Sequence, residues 1–212
     1  MKLLSVNTGL LCNILRNGKK VQSGIFKQPV DDLMEVRRLG LEGDQQANKK
    51  LHGGILKAIC IYPSEHYETW RDELGKLDLS FGDFGENLTT LGLLENSVCL
   101  GDRFRIGSAE MVVTQPREPC VTLNARLHLK DFSIRFKESG RSGFYFSVVK
   151  EGSLKKGDSI ECIFKDENKV SIKEFNDVLN GKPGVDDIMR RAYEVNTLPK
   201  KLKNILQKRI ET

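Results

Sequence analysis

The sequence predicts a mainly β protein with flanking helices, built as a barrel or a sandwich. Many short apolar segments are separated by glycine-rich turns at regular intervals, a pattern typical of these architectures. Strands and helices do not alternate strictly, so we do not expect a doubly wound parallel sheet. Three short amphipathic segments near the C-terminal end predict a small helical domain that follows the β domain.

The composition is that of an ordinary globular protein, with 39% hydrophobic and 30% charged residues among 212. No apolar run approaches the roughly 18 residues that span a bilayer, and the first residues do not resemble a secretory signal. We therefore expect a cytoplasmic protein that does not associate with membranes. The net charge of +5 suits an anionic small ligand or an acidic partner. It is too mild to predict binding to a nucleic-acid polymer.

The cysteines and histidines form no recognisable metal motif. The five cysteines are widely spaced and contain no Cys-x-x-Cys pair, which argues against a disulfide framework and a zinc ribbon. The three histidines show no metal-ligand spacing to one another.

The first half of the chain contains four predicted strands and one helix. The strands are Lys2–Thr8, Lys20–Lys27, Leu33–Leu39 and Ala58–Tyr62, with Gln28-Pro29 separating the second from the third. Ser64 is a suitable N-cap for the helix, in which Tyr67, Trp70 and Leu74 recur at helical spacing before Gly75. We expect Trp70 to be a core residue.

The second half of the predicted β domain returns to short strands. We expect strands at Ser97–Leu100, Arg103–Ile106, Ala109–Thr114, Phe144–Val149 and Asp158–Phe164. We expect two short helices between the third and fourth of these strands, at Val121–Leu127 and Asp131–Glu138.

A polar run near residue 165 marks a predicted domain boundary. Residues 1–165 would form the β domain and residues 166–212 a three-helix domain. Ser171 and Glu174 form a capping box for the first helix, with Val170 as the staple residue. Because three short helices are near the lower size limit for independent stability, we expect them to pack on the β domain or on a second subunit, as in a homodimer.

The hexapeptide from Gln115 to Cys120 is the most informative stretch for function. Two prolines restrict its backbone, so we expect a rigid, solvated turn that holds Cys120 after a strand. Arg117 would favour the thiolate, the form of cysteine that attacks electrophiles or binds soft metals. A half-buried cysteine without a function is the alternative.

Four further loops contain candidate binding residues. Gly43 and Asp44 end a turn of the form Gly-Leu-Glu-Gly-Asp, and His52 precedes the paired glycines Gly53 and Gly54. Consecutive unshielded amides can bind anions, although a structural histidine before a loop is the simpler interpretation.

The other two loops lie on either side of the hexapeptide in the sequence. Asn87 can donate and accept hydrogen bonds, as recognition of a pterin or base edge requires, whereas Glu86 could instead brace its loop. Arg141 and Gly143 lie in a basic glycine loop suited to an anion.

Taken together and in order, these motifs resemble the MOSC family, and in particular its YiiM-type subgroup. The resemblance rests on the segments Gly40–Asp44, Leu51–Gly54, Tyr62–Tyr67, Phe84–Leu88, Gly101-Asp102 and Gln115–Cys120, together with the three-helix tail. It covers essentially the whole chain. One departure is Ile55-Leu56-Lys57, which is more apolar than the family pattern after the paired glycines.

The resemblance implies a β-barrel that binds a molybdopterin-type molybdenum cofactor, with Cys120 as the metal ligand. It also implies reduction of N-hydroxylated compounds, such as hydroxylamino-purines, amidoximes and hydroxamates, with electrons from a separate flavin-type reductase. Asp44 and His52 are candidates to orient the cofactor or relay protons. The glycine loops, Glu86, Asn87, Arg117 and Arg141 are candidates to contact it. A family-level association with pyridoxal phosphate accompanies the resemblance.

Two other functions fit the same sequence. The chain could carry the cofactor or sulfur to another enzyme, with a persulfide on Cys120, or it could be a non-catalytic anion-binding barrel.

Overall fold

The computed structural model describes residues 1–16, 19–47, 53–75 and 78–211. Within these residues the fold is mainly β. The strands are β1 (Lys2–Thr8), β2 (Cys12–Arg16), β3 (Lys19–Ser23), β4 (Gln28–Val30), β5 (Met34–Arg37), β6 (Gly40–Leu41), β7 (Ile59–Pro63), β8 (Leu88–Leu91), β9 (Arg103–Ile106), β10 (Ala109–Pro116), β11 (Phe144–Lys150), β12 (Gly152–Leu154) and β13 (Ile160–Phe164).

The α-helices occupy the positions that the sequence predicts. They are α1 (Glu65–Leu74), α2 (Thr122–Leu127), α3 (Phe132–Ser139), α4 (Ile172–Leu179), α5 (Asp186–Glu194) and α6 (Lys200–Ile210). No helix in the described residues is long and apolar enough to cross a membrane.

The main sheet closes into a barrel. Its strand order is β13-β9-β10-β11-β7-β8-β1-β4, antiparallel except for the β7–β8 pair. An antiparallel bridge joins Lys2 to Ser159, and the Ile160 amide donates to the Met1 carbonyl at 3.0 Å. Because these contacts connect β1 to the start of β13, they close a ring of seven strands and leave β4 outside it. The predicted barrel with flanking helices is confirmed.

Several short strands were not predicted from the sequence. β2 and β3 form a hairpin of their own, and the predicted strand Lys20–Lys27 ends early, at Ser23. Gly24, the residue after this strand, lies too close to the Gln45 carbonyl oxygen to carry a side chain. Gln28-Pro29, predicted as a separator, lies in β4, where an edge position tolerates the missing proline N–H. β8 and β12 were also missed.

Two local predictions are wrong. Ser97–Leu100 is not a strand, because Cys99 donates its amide to the Asp102 carboxylate at 3.0 Å and Leu100 donates to the Val170 carbonyl at 2.9 Å. Ser64 precedes α1 but makes no capping bond to it, since its own backbone is already helical. The capping box of Ser171 and Glu174 does form, and Trp70 is fully buried.

The protein has two hydrophobic clusters. One fills the barrel and continues without interruption into α4, α5 and α6, through residues such as Phe175, Ala192 and Leu206. The other lies outside the barrel under α1, α2 and α3 and is rich in aromatic rings, among them Trp70 and Phe136. The helical tail therefore packs on the barrel. The domain boundary at residue 165 stays a prediction.

Candidate functional site

The hexapeptide is less exposed than the sequence predicts. β10 extends to Pro116, which pairs with Phe144 of β11, and the Arg117 amide donates to the Gly143 carbonyl at 3.1 Å. Strand pairing therefore keeps Gln115, Pro116 and Arg117 buried, and only Glu118 is exposed. The prediction of a solvated turn is therefore wrong for Gln115, Pro116 and Arg117. Cys120 itself is half-buried, just before α2.

Arg117 is directed into the protein. Its Nη2 donates to the Phe84 carbonyl at 2.5 Å, and its guanidinium lies 5.7 Å from the Phe136 ring centre. Its Nη1 is buried and has no hydrogen-bond partner among the described residues. A buried guanidinium with an unused hydrogen-bond donor is typical of an anion-binding site.

The thiol beside Arg117 is Cys60, which the sequence predicted only as part of a buried strand. Burial raises the pKa of Cys60, and the positive charge of Arg117 opposes that shift. Cys60 lies opposite Tyr145 in the pairing of β7 with β11. Because side chains alternate along a strand, Cys60 and Tyr145 point away from the barrel interior that Ile59, Ile61 and Phe146 fill.

Tyr145 connects the two cysteines. Burial raises its pKa, and the neighbouring Cys60 and Cys120 add to the shift. The Lys57 ammonium lies 5.5 Å from the Tyr145 ring centre, and burial lowers the pKa of Lys57. We call Lys57, Cys60, Arg117, Cys120 and Tyr145 the Cys120 cluster. It combines two thiols with two buried or half-buried cations.

Asp44 forms a buried junction next to this cluster. Its Oδ1 accepts from Lys27 Nζ at 2.5 Å and from the Gly9 amide at 2.9 Å, and its Oδ2 accepts from Asn87 Nδ2 at 2.9 Å. The Asp44 and Lys27 side chains are only 3% and 6% exposed. The sequence pattern around Asp44 gave no indication of Lys27.

Asn87 and Glu86 are engaged inside the protein. The Asn87 Oδ1 accepts from the Cys60 amide at 3.0 Å, while its Nδ2 donates to Asp44 and to the Asn7 carbonyl. The Glu86 Oε1 accepts from Tyr67, Gly82 and Thr89, at 2.5, 2.9 and 2.6 Å. Burial raises the pKa of Glu86. These contacts favour the bracing role for Glu86 and leave Asn87 no amide hydrogen for a ligand.

The candidate glycines differ in what they can offer. Gly43 and Gly54 are exposed, have positive φ angles of 80° and 86°, and have open space where a Cβ would be. Gly53 is half-buried. The Gly143 amide already donates to Glu95 Oε1 at 2.7 Å. Of the four candidate glycines, only Gly43, Gly53 and Gly54 can therefore offer their backbone amides to a ligand. His52 lies outside the described residues.

Arg141 is placed away from the Cys120 cluster. One amino group of its guanidinium donates to both carboxylate oxygens of Glu73, at 2.8 and 2.9 Å, and the group lies 3.8 Å from the Trp70 ring centre. This geometry links α1 to the loop after α3. Its expected contact with an anion would compete with Glu73.

The structure therefore gathers four of the candidates around Cys60, namely Asp44, Glu86, Asn87 and Arg117, and places a fifth, Cys120, near Tyr145. The Asn87 side chain joins Asp44 to the Cys60 backbone, and the charges of Arg117 and Glu86 both act on the Cys60 thiol. Within the described ranges, no three His, Cys, Asp or Glu side chains are placed to hold a metal ion. A metal here would need most of its ligands from a cofactor.

Comparison with known proteins identifies the family. Residues 48–161, more than half of the chain, match the family model of the MOSC domain. The chain belongs to the MOSC domain family. This confirms the resemblance seen in the motifs.

Relatives and solved structures agree with this assignment. The chain is 37% identical over 189 residues to Protein YiiM of Escherichia coli (strain K12), covering 88% of this chain and 84% of that protein. It superposes on the crystal structure of YiiM from Geobacillus stearothermophilus with a TM-score of 0.82 at 32% identity, covering 99% of this chain and 98% of that one.

A third relative is longer. The chain is 33% identical over 168 residues to a protein of Gibberella moniliformis (strain M3125 / FGSC 7600) named Reductase, a match that covers 78% of this chain and 30% of that protein. The MOSC relatives therefore include one whose name states a redox activity.

Proposed function

We propose that this protein is a molybdenum-cofactor-dependent oxidoreductase that reduces N-hydroxylated compounds. The overall reaction converts N–OH to N–H and releases water; it consumes two protons from solvent and two electrons from a separate flavin-type reductase. MOSC family membership and the relative named Reductase support an oxidoreductase. The observation that carries the proposal is the Cys120 cluster, in which Cys60 and Cys120 both act on Tyr145 and the buried Arg117 has an Nη1 without a hydrogen-bond partner among the described residues.

The residues of the Cys120 cluster fit a molybdopterin-type cofactor. Molybdenum held by dithiolene sulfurs needs a soft ligand from the protein, and the thiolate of Cys120 would supply it. Arg117 Nη1, the Lys57 ammonium and the backbone at Gly53 and Gly54 would contact the anionic part of the cofactor. When bound, the cofactor supplies the two-electron redox chemistry.

The protein's own contribution is to hold these groups in place. Asp44 and Asn87 fix the backbone of β7 at Cys60, and Phe84 fixes the Arg117 guanidinium. Because the Asp44 carboxylate is occupied by Lys27, Gly9 and Asn87, we assign it to orientation and not to proton transfer. A proton relay through His52 remains part of the proposal.

Molybdenum content tests the assignment of Cys120. The wild-type protein and the variants Cys120→Ala and Cys162→Ala would be purified from a molybdenum-replete host. Cys162 is a matched control because it is also half-buried but lies on β13, outside the Cys120 cluster. We expect the wild type and Cys162→Ala to retain molybdenum and to reduce an N-hydroxylated base in a reductase-coupled assay. Cys120→Ala should lose both properties.

Two results would contradict the proposal. One is a wild-type protein without molybdenum together with normal turnover by Cys120→Ala. The other is extra sulfur on Cys120 by mass spectrometry with no steady-state reduction, which would indicate a sulfur carrier. A cytoplasmic location, a homodimer and the absence of nucleic-acid partners remain predictions beside this function.

A further inference from the structure

A large cavity lies between the helices beside the barrel and the helical tail. Its volume is about 1020 Å³, and it is bounded by α3, the turn after α3, residues 94–96 and α4. This volume is at the upper end of the ~300–1,000 Å³ typical of small-molecule sites. None of the residues assigned above to the cofactor lines it except Arg141, which is bound to Glu73.

A histidine and a glutamate face this cavity as a fixed pair. His66 Nε2 lies 2.7 Å from Glu95 Oε2, and Glu95 Oε1 accepts from the Gly143 amide at 2.7 Å. The imidazole also lies edge-on against the Tyr62 ring, with centroids 5.4 Å apart. Glu95 therefore fixes both the orientation of the ring and the hydrogen on Nε2.

The other ring nitrogen is available to a ligand. Across the part of the chain that the structure describes, His66 Nδ1 makes no hydrogen bond, and the side chain is 13% exposed. Neutral imidazole with a donor at Nε2 presents an acceptor at Nδ1, and the protonated ring presents a donor there. The pair thus places one adaptable hydrogen-bonding atom in the cavity wall.

The rest of the wall offers groups that can hold a planar heterocycle. Three amide side chains, those of Asn96, Asn176 and Asn180, line the cavity together with the apolar Leu94 and Ile134. Amides can read the donors and acceptors of a heterocycle edge, and apolar side chains can cover its faces.

The charges at the cavity are only partly paired. Lys173 and Lys182 both lie near Asp177, at 3.7 and 2.6 Å. The Asp177 carboxylate offsets only one of these two positive charges, and Lys137 lies on the wall as well, so this side of the cavity keeps some positive charge.

The cavity reaches the loop that carries the proposed metal ligand. Pro119, which directly precedes Cys120, is part of its lining. Gly143 joins the two regions as well, because its amide is bound by Glu95 and its carbonyl accepts from the Arg117 amide. A ligand in the cavity would therefore lie beside the loop that carries Cys120.

We propose that this cavity binds the ring of the N-hydroxylated substrate, a purine-sized nitrogen heterocycle, and that His66 Nδ1 forms a hydrogen bond to it. Glu95 is then a positioning residue that holds the imidazole. The identity of the substrate rests on the proposed function, but the location of the site does not.

Binding to the metal-free full-length chain tests the proposal independently of turnover. Isothermal titration calorimetry with adenine and with 6-hydroxylaminopurine would compare the wild type with His66→Gln and Ile134→Trp. A glutamine amide can replace Nε2 toward Glu95 but leaves nothing at Nδ1. Tryptophan at Ile134, which is 57% exposed, would fill the cavity without disturbing a core. Leu15→Trp on the β2–β3 hairpin is the matched control, since Leu15 is 67% exposed.

We expect both substitutions at the cavity to weaken binding of both probes about tenfold or more, and Leu15→Trp to bind like the wild type. His66→Asn, which keeps a polar atom near the Nδ1 position, should lose less affinity than His66→Gln. Absence of binding by the wild type, or equal affinity in wild type, His66→Gln and Ile134→Trp, would overturn the proposal.

Turnover of the loaded enzyme separates this inference from the proposed function. If Ile134→Trp reduces the N-hydroxylated base with an unchanged KM, the cavity is not the substrate site, although the reductase activity stands. If no molybdenum and no turnover are found but adenine still binds in a His66-dependent way, the cavity assignment stands and the proposed reaction fails.

Discussion

The carboxylate of Asp44 holds the ammonium of Lys27 at 2.5 Å, with both side chains almost fully withdrawn from solvent. The same carboxylate binds the Asn87 side chain and the Gly9 amide. One aspartate therefore ties together the end of β1, the loop before β4 and the loop before β8. The Asn87 side chain, which joins Asp44 to the Cys60 amide, is held in place by this junction.

Replacing Asp44 by alanine should be strongly destabilising. Lys27 would be left as a buried charge without its partner, a change that costs about 3–5 kcal/mol in other proteins. Urea unfolding would measure the loss. Asp31→Ala is the control, because the Asp31–Lys156 pair is exposed on both sides and should contribute at most about 1 kcal/mol. Similar losses in the two variants would contradict a buried junction at Asp44.

Gly143 and Gly140 should respond differently to alanine. Both have positive φ angles, 64° and 71°, so each substitution incurs about 1–2 kcal/mol of backbone strain. At Gly143 the new Cβ would also lie 2.2 Å from the Ile61 carbonyl oxygen, whereas at Gly140 it meets open space. We expect a clearly lower melting temperature for Gly143→Ala than for Gly140→Ala, and equal values would argue against the close approach of the two strands.

Glu86→Gln should change how stability depends on pH. Burial raises the pKa of Glu86, so the folded state favours its protonated form. That contribution is fully present below the pKa of the unfolded chain and is lost as pH rises through the folded-state pKa. Glutamine does not titrate. The free energy of unfolding of the variant, relative to that of the wild type, should therefore be higher at pH 8 than at pH 5. A pH-independent difference would contradict the shift.

Cys99 should react slowly with iodoacetamide in the folded protein. Burial, with the negative charge of Asp102, raises its pKa to about 11. Its thiolate fraction should therefore rise about tenfold per unit between pH 8 and pH 10, whereas an ordinary thiol with a pKa near ~8.5 levels off in that range. Site-resolved mass spectrometry would follow the alkylation. The same cysteine in urea-unfolded protein is the control, and identical pH profiles in the two states would refute the prediction.

Elements with local sequence signals were predictable. β1 lies at the predicted residues, and the capping box at Ser171 forms because its partners are only three residues apart. The aromatic stripe of α1 led directly to a buried Trp70. Each of these features depends on neighbours within one or two helical turns or within one strand. The motifs shared with the MOSC family extended the prediction to the barrel.

Features that depend on distant residues were not predictable from patterns. Lys27 carries no local sign that it is the partner of Asp44. Cys60 was assigned to a buried strand, and its contact with Arg117 arises only when β7 and the end of β10 lie on either side of β11. The pairing of His66 with Glu95 likewise joins α1 to a loop 29 residues later. Local patterns limit where such groups can lie, but tertiary packing selects the pairs.

The seam between β1 and the start of β13 determines when the barrel can be completed. During synthesis, β1 can pair with β4 early and with β8 only after residue 91 has emerged. The remaining part of its edge can form hydrogen bonds only after residues 157–160 have emerged. Nascent chains shorter than this carry an open sheet with an unpaired edge, which is a site for misassociation. Ribosome-bound chains that end before residue 157 should therefore depend on chaperones more than the released protein does.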